Sequence, residues 1–133
     1  MFHLISGVMV AAVVQSVLGG AWFMGLVGKR YGEALGRSDL AGQKPSLLAL
    51  AGPFVCSLVV IATSAWLLRA LAVTSVGDAA MFGALVGVGY LTPMVVNIAI
   101  NPNFPRPFFY SLLNAPFFVV GSVVSSVILV AMS

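Results

Sequence analysis

Charge is what this chain has least of. Asp and Glu together number three, Lys and Arg six, and there is one His. Charged residues make up 7% of the 133, where a soluble domain carries roughly a quarter. So few charges do not supply the polar surface of a soluble fold. The scarcity also removes most catalytic chemistry. Glu33, Asp39 and Asp78 have no His or Cys at ligand spacing, so no metal site is expected. His3 is the only imidazole, which leaves no base for a Ser-His-Asp arrangement. No glycine-rich phosphate loop follows a strand. An intramembrane proton relay needs Asp, Glu or His within a span, and the long apolar runs hold none. The expectation is a non-enzymatic protein without cofactors. Cysteine is equally scarce. Cys56 stands alone in an apolar run, so no intramolecular disulfide is possible, and it is expected to act as a small buried hydrophobe.

What is abundant is hydrophobicity, at 61% of residues with a mean hydropathy of +1.13. It falls into four uncharged runs, about 4–27, 46–68, 79–100 and 108–132. Each reaches the roughly 20 residues that a ~30 Å hydrocarbon core requires. The runs are continuous rather than alternating, which argues against a strand barrel. Backbone groups in lipid must then be satisfied within helices. The expected fold is all-α: a polytopic four-transmembrane-helix bundle forming one integral membrane domain over 1–133. The N-terminal run has no basic leader and no small-residue cleavage site, so it reads as a mature helix rather than a signal peptide.

The net charge of +3 and pI near 9.5 raise the question of nucleic acid. Six basic residues spread over three loops form no basic stripe, so the expected partner is the lipid bilayer instead. Lys29, Arg30, Arg37 and Lys44 lie in the first loop, Arg106 in the third and Arg69 in the second. First and third loops share a side, so by the positive-inside rule that side is cytoplasmic and both termini point out. Within the first loop, residues 29–37 suit a short interfacial helix with a Glu33–Arg37 pair. Gly28, Gly32 and Gly36 oppose it, and Gly36 equally suits a C-cap. Lys29, Arg30, Arg37 and Lys44 are candidate headgroup contacts.

Polar side chains within spans normally face the bundle. Gln15 lies mid-helix in the first run, while Asn97 and Asn114 flank the proline-rich third loop at similar depth. With Trp22 and Thr92 they form a candidate polar intramembrane site; interhelical hydrogen bonding is the simpler use of the same amides. Pro93 should kink the third helix near Gly87 and Gly89. Small residues at spacing four are candidate packing faces: Ala12, Ser16 and Gly20; Gly83 and Gly87; Gly121 and Ser125. Trp22, Phe23, Tyr31, Phe104, Phe108, Phe109 and Tyr110 read as one interfacial belt, and Trp66 with Arg69 as the other.

The run Leu18-Gly19-Gly20-Ala21-Trp22-Phe23, then Gly28-Lys29, Tyr31 and Gly36, resembles the uncharacterised bacterial membrane family known as domain of unknown function 1761. The matching positions are Gly20, Trp22, Phe23, Gly28, Lys29, Tyr31 and Gly36. Val27 stands where an aromatic is expected, and Tyr31 where Trp is usual. The resemblance implies a small four-helix membrane protein in a bacterial cell membrane and no assigned reaction. Two functions fit the residues. One is helix association, as a homo-oligomer or as a subunit of a larger membrane complex. The other is a small channel or carrier for an uncharged or weakly polar solute, using Gln15, Trp22, Asn97 and Asn114.

Overall fold

The computed structural model describes residues 2–37, 39 and 43–133; of the first loop, 38 and 40–42 lie outside it. The described residues are all-helical, with no strand. Four stretches are long and apolar enough to cross a membrane: His3–Leu26, Leu47–Ala70, Val76–Ala99 and Pro107–Ala131. The first span is α1 (Phe2–Gly20), continued by a π-helical stretch, Ala21–Leu26. A short helix, α2 (Gly28–Ala34), follows at once, and α3 (Leu47–Ala70) is the second span. The third span is composite: α4 (Val76–Val86), a π-helical stretch Gly87–Leu91, and α5 (Thr92–Ala99). The fourth is α6 (Pro107–Ala131).

Caps explain where these helices begin. Ser46 accepts from the Ala49 amide at the start of α3, and Ser75 accepts from the Asp78 amide while donating to its carboxylate, 2.6 Å away. Such reciprocal capping satisfies amides that a helix start leaves bare. The third span therefore begins at Val76, before the expected 79, with Asp78 inside its first turn. At the end of α2, Arg37 N bonds Gly32 O and Gly36 N bonds Glu33 O, with Gly36 at φ +66°. That left-handed closure is the C-cap which glycine favours. Both expectations for the first loop are thus combined: a short helix and a Gly36 cap. Because the helix ends at Ala34, Arg37 leaves the α-helical path, and the expected Glu33–Arg37 pair is replaced by Arg37–Asp39 at 3.2 Å. The turn after α3 closes the same way around Ala72, at φ +53°.

The spans pack around α6, which touches α1, α2, α3, α4 and α5. The buried share of its apolar stretch is 50%, against 11% for α3, which makes α6 the axis and α3 the outlying helix. Contact between α4 and α6 is close because glycine permits it: a Cβ on Gly83 would lie 2.5 Å from Ser122 O, and one on Gly87 2.6 Å from Val119 Cα. The main core lies toward the end carrying both termini. It joins Ala11 and Ala12 to Ile61, Ala65 and Leu68, and to Ala79, Leu129 and Val130. The opposite end carries the first and third loops, which meet where Gly36 abuts Pro105. All five of their basic residues, Lys29, Arg30, Arg37, Lys44 and Arg106, are exposed there.

Candidate functional site

Toward this basic end, α3 stands away from the bundle. From Leu47 to Val60 it has no buried residue, while Ile61, Ser64, Ala65 and Leu68 are buried further along. The gap it leaves is a cleft of about 710 Å³, within the size range of small-molecule sites. One wall is α1 and its π-helical extension, with Gln15, Gly19 and Phe23. The facing wall is the first half of α3, with Leu50, Phe54 and Ser57. The back is α6, with Tyr110, Asn114 and Phe117, and Tyr31 of α2 adds to the lining. Met24 and Leu50, both in the lining, are 85% and 60% exposed. Toward the termini the lining extends to Gln15 and Val60, and the core residues Ala12 and Ile61 are not part of it.

Two amides reach into this cleft. Gln15 and Asn114 are only 7% and 5% exposed, yet both line it. The Ser125 hydroxyl donates to Gln15 Oε1 at 2.7 Å, and Gly121 makes room for the side chain: a Cβ there would lie 3.2 Å from the Gln15 amide carbon. Asn114 Nδ2 donates to the Tyr110 carbonyl at 2.8 Å. Each amide has a second polar end with no hydrogen-bond partner among the described residues. The Tyr110 carbonyl only accepts, so Asn114 is fixed with Oδ1 as its free end, whereas the Ser125 hydroxyl serves either orientation of Gln15. Two prolines add to the site. Pro53, which lines the cleft, cannot donate to the Ala49 carbonyl, and Pro116 in α6 cannot donate to that of Leu112.

The other residues expected at a polar site lie elsewhere. Asn97 is exposed on α5 and does not line the cleft. The Thr92 hydroxyl donates to Gly87 O at 2.8 Å across the π-helical stretch, where Pro93 interrupts the backbone ladder. The Trp22 indole donates to Leu113 O at 2.8 Å, in the turn that Pro116 opens. Among the packing residues, Gly83 and Gly87 serve α6, and Gly121 and Ser125 serve Gln15. Ala12 is wholly buried, Ser16 bonds back to Ala12 O, and nothing lies within contact of a Cβ on Gly20. Cys56 is not buried, as expected for a lone thiol, but exposed and in the cleft lining, because its half of α3 is unpacked. Pro53, Phe54, Phe117 and Phe118 line the cleft as well, outside the polar site expected from the sequence. The signal was a Pro-Phe pair in two different spans, 53–54 and 116–117.

The motif after the first span is a corner piece. Val27 N bonds Trp22 O, five residues back, and a Cβ on Gly28 would lie 3.1 Å from Phe23 O. Phe23 meets Tyr31 and Phe117 edge-on, at 5.7 and 5.1 Å between ring centres, and Tyr31 meets Tyr110 at 5.7 Å. Burial, and then the neighbouring Tyr110 side chain, push the Tyr31 phenol well above its ordinary pKa. Outside this corner, Arg37 beside Asp39 holds that exposed carboxyl below the usual range, with Gln43 also donating to it. No curated protein and no solved structure matches the chain. Residues 6–130 match the family DUF1761, proteins of unknown function, and the chain belongs to that family.

Proposed function

We propose that this multi-pass membrane protein binds an uncharged, weakly polar solute in the cleft, as a carrier-type site open at the basic end and closed at the termini end. One observation carries this reading: Gln15 and Asn114 are more than nine-tenths buried, and each turns an uncommitted amide end to the cleft. No side-chain nitrogen or oxygen among the described residues is both buried and unpaired, so the free amide ends are reachable, and a solute group that pairs with them gains a hydrogen bond worth about 0.5–1.5 kcal/mol. Among the described residues the lining has no carboxylate, imidazole or cation, which disfavours a charged solute. A lining that ends before the packed core suits a carrier better than a channel. Helix association, as an oligomer or complex subunit, is the weaker reading, because Gly83, Gly87, Gly121 and Ser125 are occupied within the monomer. We place the basic end on the cytoplasmic side of a bacterial plasma membrane, supported by five cations at that end against Arg69 at the other.

The test is to extract the purified protein with organic solvent and identify what it carries. Wild type and Asn97→Leu should release the same uncharged compound at near one per chain. Gln15→Leu and Asn114→Leu should release about a tenth as much, the loss for ~1.4 kcal/mol of binding. No such compound in wild type, together with dimer cross-links through Cys56, would instead support association.

A further inference from the structure

Resting on that reading of the cleft, the geometry points to a ligand class: a flat, uncharged aromatic or conjugated molecule with an oxygen at each end. The length comes from α6. The Gln15 amide lies against Gly121 and Ser125, while Asn114 is seven residues before Gly121. Seven residues are two helical turns, so the two amides share a face; Asn114 reaches back to the Tyr110 carbonyl and Gln15 lies level with 121–125, so they sit roughly 16 Å apart along the axis. Each has one uncommitted end: Asn114 Oδ1 takes a ligand hydroxyl, and a hydroxyl also satisfies Gln15 in either orientation. With a hydrogen bond of about 2.8 Å at each end, the ligand therefore needs hydroxyl oxygens about 10 Å apart on a rigid span.

The shape comes from the walls between the amides. Phe23, Tyr31, Tyr110, Phe117 and Phe118 form a run of edge-on and tilted rings along α1, α2 and α6. Phe54 stands on the facing wall, 38% exposed, with no aromatic partner among the described residues. Aromatic groups gain about 0.5–1.5 kcal/mol beyond burial by meeting another ring at such angles. A flat ring system between Phe54 and this wall makes those contacts, whereas a flexible alkyl chain loses rotational freedom and gains none of them. Met24 and Leu50, apolar and exposed in the lining, suit the entry of an apolar molecule.

The experiment titrates the purified full chain with para,para′-biphenol, whose oxygens lie about 10 Å apart and reach both amides through one hydrogen bond at each end. Native mass spectrometry counts the bound molecules. Para-phenylphenol lacks one oxygen, biphenyl lacks both, and an eight-carbon terminal diol keeps both oxygens without the rings. The biphenol should bind about tenfold more tightly than para-phenylphenol, and that advantage should vanish in Asn114→Leu or in Gln15→Leu. Phe54→Ala, at an exposed position that costs the fold little, should weaken the ring compounds and spare the diol. Deleting oxygens from the probe tests the proposal even if an amide variant fails to fold. Equal binding of all three ring compounds overturns the two-oxygen requirement, and a diol equal to the biphenol overturns flatness. In either case a compound released from the wild-type protein leaves the binding role standing. Failure of every probe overturns the ligand class, and an empty solvent extract then removes the binding role as well.

Discussion

The two ends of this bundle use the same pair of helices in opposite ways. At the termini end, α1 and α3 meet through Ala11, Ala12, Ile61 and Ala65. At the basic end the same helices stand apart, with Phe23 on one and Phe54 on the other facing a cleft. Small side chains let backbones approach and gain dispersion contacts in a lipid solvent that gives little hydrophobic drive for association. Aromatic rings and two buried amides do the reverse, holding a space that needs something to fill it. Rigidity is thus placed at one end and a binding surface at the other.

The sharpest way to break this contrast is to spoil the close contact that fixes the axis. Gly83→Val would put a side chain where Ser122 O and Val123 Cα stand within 2.6 Å. Backbone must move to admit it, so the loss should be about 3 kcal/mol or more. Unfolding in mixed micelles should show it as a collapse of folded yield. A milder pair compares the two halves of α3 directly. Ile61 is 1% exposed and Leu50 60%. Ile61→Ala should cost about 2–5 kcal/mol by leaving a cavity, while Leu50→Ala should stay within ~0.5 kcal/mol. Equal costs would mean that α3 is packed along its whole length and that the cleft is closed. Trp22→Phe keeps the ring and removes the donor to Leu113 O. A loss of about 0.5–1.5 kcal/mol is expected, with binding in the cleft unchanged because the indole is outside its lining.

Much of this architecture was legible in the residues, for physical reasons that also show where legibility ends. Uncharged runs flanked by Lys44-Pro45 and by Pro107 leave a chain in lipid no option but helices, and the glycine at position 36 announces its own left-handed turn. The facing of each helix was not legible. Asn97 and Asn114 are the same residue type at similar depth, yet only Asn114 turns inward. A helix that is apolar all round has no polar stripe to say which side meets its neighbours. Gln15 could be singled out as polar, but its partner Ser125 lies 110 positions away. The roles of Pro53 and Phe54 depend on α3 leaving the bundle, which follows from packing between helices rather than from any local pattern.

The smallest effect expected is in the cleft lining, where Tyr31 ties the corner after the first span to α6. Its phenol is held in the neutral form by burial first and by Tyr110 second, so its pKa in the folded protein is raised. In the unfolded chain tyrosine ionises near pH 10. Below that pH both states keep the proton, and stability does not depend on this group. Above it the unfolded state releases a proton that the folded state retains, so stability falls as pH rises. In folded protein at about pH 11, one unit above the ordinary tyrosine value, the tyrosinate absorbance of wild type and of Tyr31→Phe should therefore coincide. An excess of one tyrosinate in wild type would mean that water reaches Tyr31, that the aromatic corner is open, and that the basic end is looser than its ring contacts imply.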